Sequence, residues 1–224
     1  AFYREDFQKI GGHDPLYAPQ SKEDSDIFNR FLLDGVSFVQ TWHGCVYHMT
    51  CRGSRRNVVD KAKNIYEDSP EWLAQNMRST RNFIRKWGHM VQHDAYLKPI
   101  VPPKYDIAFK ALNCNKQLLY ELEPWCSKIY LDYGSVGKYS AEYQREEQPN
   151  TQFNLDEKIK MYGNADVTKS HDILVEFDCG KLNNENFQII VNLAKMLQDS
   201  GEVGEMEFDI FKLYINSLQT YEDK

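Results

Sequence analysis

The sequence predicts an α+β fold: a β-sandwich-like core with flanking helices and an N-terminal helical arm. The arm covers residues 1–34, and a single α+β core domain covers 35–224. Three patterns predict this. Ile129, Leu131 and Tyr133 alternate with Tyr130 and Asp132, the period of two of a half-buried strand. Across Gly134 and Gly137 the alternation resumes at Tyr139, Ala141 and Tyr143. Phe187, Ile190, Val191, Ala194 and Leu197 instead share one helix face over 184–198, between strands at 172–177 and 205–215.

The other elements follow in order. Phe2, Phe7 and Ile10 give a short helical period that Gly11-Gly12 ends, and a polar stretch over 21–26 caps a second helix through Ile27, Phe31 and Leu32. Residues 36–52 read as a hairpin turning at His43-Gly44, and 58–66 as a helix. Ser69 caps, and Pro70 begins, a helix that runs through Leu73, Met77 and Phe83 towards Trp87. Pro99, Pro102 and Pro103 precede a strand over 105–112; a short helix spans 117–122, and 142–151 is a polar loop.

Composition excludes more than it identifies. With 27 basic and 33 acidic residues the formal charge is −6, which offers little to a nucleic-acid backbone or an anionic membrane. No apolar run reaches the roughly 18 residues of a membrane span, and the first residues do not read as a signal peptide. Five cysteines, an odd number without a regular framework, read as reduced thiols in a cytosolic setting. His43, Cys45, His48 and Cys51 cluster, but their spacing fits no structural zinc site.

Two constellations carry candidate chemistry. His89 and His93, four apart with Asp94 adjacent, would share one face of a helix at metal-ligand spacing. They are the basis of the alternative function, an intracellular metal-dependent phosphohydrolase, although no metal is assigned. Arg52, Arg55 and Arg56, then Arg78, Arg81 and Arg85, form two basic patches. They read as solvated faces or, more sharply, as phosphate contacts, because guanidinium forks suit phosphate. No nucleophile elbow, phosphate-binding glycine loop or dinucleotide fingerprint is present, so a catalytic function is not expected.

In element order the chain resembles a cypovirus polyhedrin, the matrix protein of insect-virus occlusion bodies. The residues carrying the resemblance are Arg4-Glu5-Asp6-Phe7, Asn29-Arg30-Phe31-Leu32 leading to Gly35-Val36-Ser37, the proline-led strand after Pro103, and Pro124-Trp125 leading to Ile129-Tyr130. They continue through Gly134-Ser135-Val136-Gly137-Lys138-Tyr139-Ser140 and the final strand–helix–strand. The resemblance implies a structural, non-enzymatic protein that forms trimers and packs them into crystals around virus particles in the host cytoplasm. It implies no required cofactor and no membrane or specific nucleic-acid partner, and members of that family can hold a nucleotide between subunits. Such a lattice is stable at neutral pH and dissolves in alkali. Near pH 10.4 loss of lysine charge and ionisation of tyrosine and cysteine would take the net charge to roughly −27. Tyr130, Tyr133, Tyr139 and Tyr143 are the pH-responsive candidates.

Overall fold

Apolar runs with little alternation build the main sheet. Ile107, Ala108, Phe109 and Ala111 are all buried, as are Ile173, Leu174, Val175 and Phe177. Burial on both faces is the mark of parallel strands covered by helices on each side. The computed structural model describes residues 1–44, 55–60, 65–135, 139–163 and 166–223. Backbone packing separates the chain into two compact units, Ala1–Arg81 with Val91–Ile100 and Asn82–Met90 with Val101–Lys224.

The first unit contains α1 (Arg4–Lys9), α2 (Glu23–Leu33), the antiparallel pair β1 (Arg56–Asp60) and β2 (Ile65–Asp68), and the start of α3 (Pro70–Trp87). Phe2 packs on Phe7 and Phe31, and Tyr17, Ile27 and Phe31 are buried, so residues 1–34 carry a small core. Ser21 and Lys22 take left-handed backbone ahead of α2. That conformation is unfavourable for residues with a Cβ. Gln75 and Asn76 of α3 hold the turn, Gln75 donating to the Gln20 carbonyl at 3.0 Å and Asn76 accepting from Ser21 Oγ at 2.6 Å.

The second unit holds β3 (Ile107–Leu112), α4 (Lys116–Leu122), β4 (Lys128–Leu131), the single turn α5 (Tyr133–Ser135), α6 (Ala141–Glu147) and the turn α7 (Leu155–Lys158). Then come β5 (Ile159–Met161), β6 (Ile173–Asp178), α8 (Asn184–Ser200), β7 (Gly204–Phe208) and β8 (Phe211–Ile215). The sheet order is β5-β4-β3-β6-β8-β7, with β5, β4, β3 and β6 parallel and β8 antiparallel to both its neighbours. Strand order reverses between β3 and β6. Asn183 and Asn186 form a reciprocal cap at the head of α8, and Gly201 ends it at φ 62°.

The α+β class is what forms, but the sandwich is not. Among the described residues the second unit has one mixed sheet, and helices supply its covering layers. The reason is visible in β3 and β6, whose uninterrupted apolar runs suit a sheet buried on both faces. Other elements change type. Residues 58–60 and 65–66 are strand rather than helix, in keeping with β-branched Val58, Val59 and Ile65. The part of the 36–52 hairpin up to 44 carries no strand, and 45–52 lies outside the described residues. The strand expected across Tyr139, Ala141 and Tyr143 is helical, as is much of the expected 142–151 loop. Tyr139 and Tyr143 are four apart, a spacing shared by one strand face and one helix face. The strand over 205–215 is a hairpin that turns at Asp209, which takes φ 51°.

Candidate functional site

The last turns of α3 carry a charged side chain into the interior. Arg85 is fully buried, as are Glu123 and, within 1%, Glu147. Its Nη2 donates to Glu123 Oε2 at 2.6 Å, Glu147 Oε1 at 2.9 Å and Tyr143 Oη at 3.1 Å. Its Nη1 donates to Asn82 Oδ1 at 2.8 Å. Lys158 Nζ lies 2.5 Å from Glu123 Oε1, and Tyr143 Oη donates to Glu123 Oε2 at 2.7 Å. Two cations thus face two carboxylates, the balance that burial of charge demands. Burial alone would raise the Glu123 carboxyl, but Lys158 and Arg85 outweigh it and hold it at about 2. Burial first, and Glu123 second, push the Tyr143 hydroxyl far above the ordinary tyrosine range.

A cavity of about 420 Å³ adjoins this cluster, with Arg85 and Lys158 in its wall. That is within the size range of small-molecule sites. Tyr105, Trp125 and Tyr221 supply aromatic surface; Lys104 and Lys128 add two more cations, against Glu157. Lys104 is placed by the end of α3. Gly88 turns the chain at φ 78°, and a Cβ there would meet the Lys104 stem at 3.1 Å. The Lys104 Nζ donates to the carbonyls of Arg85 at 2.8 Å and Lys86 at 3.0 Å, and stands 5.1 Å from the Tyr221 ring centre. Burial, and then the charge of Lys158, lower its amine to about 8. Cys126 also lines the cavity, its thiol pushed up to about 12 by burial.

Ser127 connects the cavity to a polar chain at the amino ends of β3, β4 and β6. Its Oγ donates to Asp106 Oδ1, whose other oxygen lies 3.4 Å from His171 Nδ1, while His171 Nε2 meets Tyr130 Oη at 2.9 Å. The carboxylate stands between serine and histidine, so the order is not that of a nucleophilic triad.

The carboxyl ends of the strands are where open α/β sheets ordinarily bind ligands. Here they carry two committed carboxylates. Asn113 donates its backbone N–H to Asp132 at 3.0 Å and its side-chain amide to Asp178 at 2.9 Å. Ser135 and Gly180 donate to the same two oxygens at 2.5 and 2.9 Å. This edge has opposite charge to the cavity and no glycine-rich turn, so concavity and cationic lining coincide at the amino-end cavity.

The expected site residues scatter. Arg52 and the cluster members Cys45, His48 and Cys51 lie outside the described residues; of Arg56 only the backbone is described, and His43 is exposed. Arg55 pairs with Asp68 at 2.9 Å and lies 4.4 Å over the Trp72 ring centre. Arg78 and Arg81 are half-buried in the first unit, whereas Arg85 belongs to the second. The helix meant to align His89 and His93 ends at Trp87. His89 is buried against Phe83, its Nδ1 2.6 Å from the Met90 carbonyl. His93 sits in an isolated bridge with Pro99, next to Asp94, which caps its own turn. Among the described residues no three His, Cys, Asp or Glu side chains are grouped to hold a metal.

The four tyrosines occupy different environments. Tyr133 is 84% exposed, Tyr139 is half-buried against the core, and Tyr143 is in the ionic cluster. Burial and then Asp106 raise the Tyr130 hydroxyl. Cys114, Cys126 and Cys179 are free buried thiols. Sequence reading missed Lys104, Glu123 and Lys158. Glu123 left little trace, since it stands between Leu122 and Pro124-Trp125 and only two residues after another acid, Glu121. Among the described residues no helix is long and apolar enough to cross a membrane. No family model, curated protein or solved structure matches the chain, so the polyhedrin resemblance rests on the residues quoted for it alone.

Proposed function

We propose that the second unit binds a small anionic molecule bearing a planar ring, of nucleoside-monophosphate size, in the amino-end cavity. The observation that carries this reading is the lining: aromatic walls beside four cationic side chains, with Glu157 the acid among them. Arg85 and Lys158 are already matched by Glu123 and Glu147. Lys128 and Lys104 are the cations that remain for a ligand. Lys104 is held by carbonyls rather than by a carboxylate. An apolar pocket with a few convergent polar groups and a perturbed amine is the usual form of a binding site. The phosphate contact foreseen for arginines thus moves to lysines.

The test is ligand-observed NMR with adenosine monophosphate and adenosine on the intact chain. The monophosphate should bind at least tenfold more tightly, about 1.4 kcal/mol, and Lys128→Glu should remove that preference. Equal binding of the two compounds, or an unchanged preference in Lys128→Glu, would overturn the reading.

A further inference from the structure

We propose that Lys104 is a carbonyl-reactive lysine that forms a reversible imine with an aldehyde or ketone group on an anionic molecule in the cavity. This rests on the anion-binding reading and adds a chemistry to it. The geometry begins with hydrogen-bond counting. A neutral amine has two N–H donors and one lone pair. The carbonyls of Arg85 and Lys86, at 2.8 and 3.0 Å, satisfy two donors. In the free base the direction left over is the lone pair, on a side chain that lines the cavity.

The groups facing Lys104 decide its protonation. The carbonyl end of α3 favours the ammonium, as helix C-termini do. Burial and the neighbouring Lys158 favour the free amine and bring it down to about 8, so a fraction of Lys104 is free base near neutral pH. Arg85 is occupied by Glu123, Glu147 and Tyr143, Tyr221 presents its ring face, and Glu157 is the acid in the cavity wall. A lysine that is desolvated beside a second cation is a recognised route to an amine nucleophile near neutral pH.

In the step, the lone pair on Nζ attacks the carbonyl carbon and the C=O π pair moves to oxygen. The nitrogen loses its protons, the oxygen leaves as water, and a C=N bond replaces C=O. Amine and carbonyl thus give imine and water, with no oxidant or reductant. Lys128 would hold the ligand's anionic group.

The experiment treats the intact wild-type chain with glyoxylate and sodium cyanoborohydride at about pH 7.5, below the ordinary lysine range. Cyanoborohydride reduces any imine to a stable secondary amine, and peptide mapping then gives the rate at each lysine. Lys104 should be labelled at least tenfold faster than Lys195, which is 67% exposed, with a rate that levels off above about pH 8. Labelling no faster than Lys195, or none, overturns the proposal. The two readings fail separately. If adenosine monophosphate binds while Lys104 stays unlabelled, the imine falls and the anion site stands. If Lys104 reacts as fast with neutral propionaldehyde as with glyoxylate, the imine stands and the anion preference falls.

Discussion

Replacing Arg85 with Met probes the arrangement on which the second unit's charge balance depends. The side chain is fully buried and donates to Glu123, Glu147, Tyr143 and Asn82. Methionine keeps much of the stem volume but leaves Glu147, 1% exposed, facing Glu123 without the cation between them. Glu123 retains Lys158 at 2.5 Å. Removing one partner of a buried ion pair costs about 3–5 kcal/mol. At about 2–4 °C per kcal/mol for a chain of this length, the transition should fall by about 6–20 °C in scanning calorimetry. The cost comes from the stranded charge more than from lost contacts, so a second substitution should return part of it. Arg85→Met with Glu147→Gln should be less destabilised than the sum of the single changes by about 0.5–3 kcal/mol. A cost below about 1 kcal/mol for Arg85→Met, the size of an exposed pair, would refute the reasoning. So would strict additivity of the two changes.

Two further predictions concern pH. The Glu123 carboxyl lies at about 2 in the folded chain against 4.5 ordinarily, so its contribution to stability is complete above pH 4.5 and is lost as pH falls towards 2. The difference corresponds to about 3 kcal/mol; denaturant midpoints measured across that window should fall in the wild type and flatten in Glu123→Gln, and parallel slopes would count against it. Tyr143 should stay protonated in alkali that leaves the chain folded. Tyrosinate absorbance near pH 10, the ordinary tyrosine range, should therefore be unchanged by Tyr143→Phe. A drop equal to one ionised tyrosine would show that burial and Glu123 do not hold its proton, and would restore it as an alkaline trigger.

Local signals were legible in the sequence, and long-range pairing was not. Helix α8 could be read closely because its apolar face and the glycine at 201 agree on where it lies, and the structure adds the asparagine cap at its head. Strands β3 and β6 could be placed because continuous apolar runs bounded by turns have few alternatives. Pro70 located the start of α3. The site was almost invisible. Arg78, Arg81 and Arg85 lie at i, i+3 and i+7 and look like one basic face, yet Arg85 is buried. Its partner Glu123 is 38 positions away and Glu147 is 62 away. No local pattern distinguishes an arginine facing solvent from one facing a carboxylate brought in by another element. His89 and His93 failed for a simpler reason. Gly88, at φ 78°, ends the helix that their spacing presumed.

The buried cluster also explains why the neighbouring cavity can be built of charged residues at all. An uncompensated cation in a cavity wall is driven to lose its proton or to draw in water. Arg85 and Lys158 meet Glu123 and Glu147 directly, so charge in that part of the wall is compensated within the protein. Lys104 is different: its fixed partners are carbonyls, and its amine sits near 8. Two lysines that line the same cavity are therefore held in different ways, one by a carboxylate and the other by carbonyls. Different surroundings for like groups in one site are how folds give them different roles. The assignment predicted from the structure is Lys158 for the ion-pair cluster and Lys104 for chemistry.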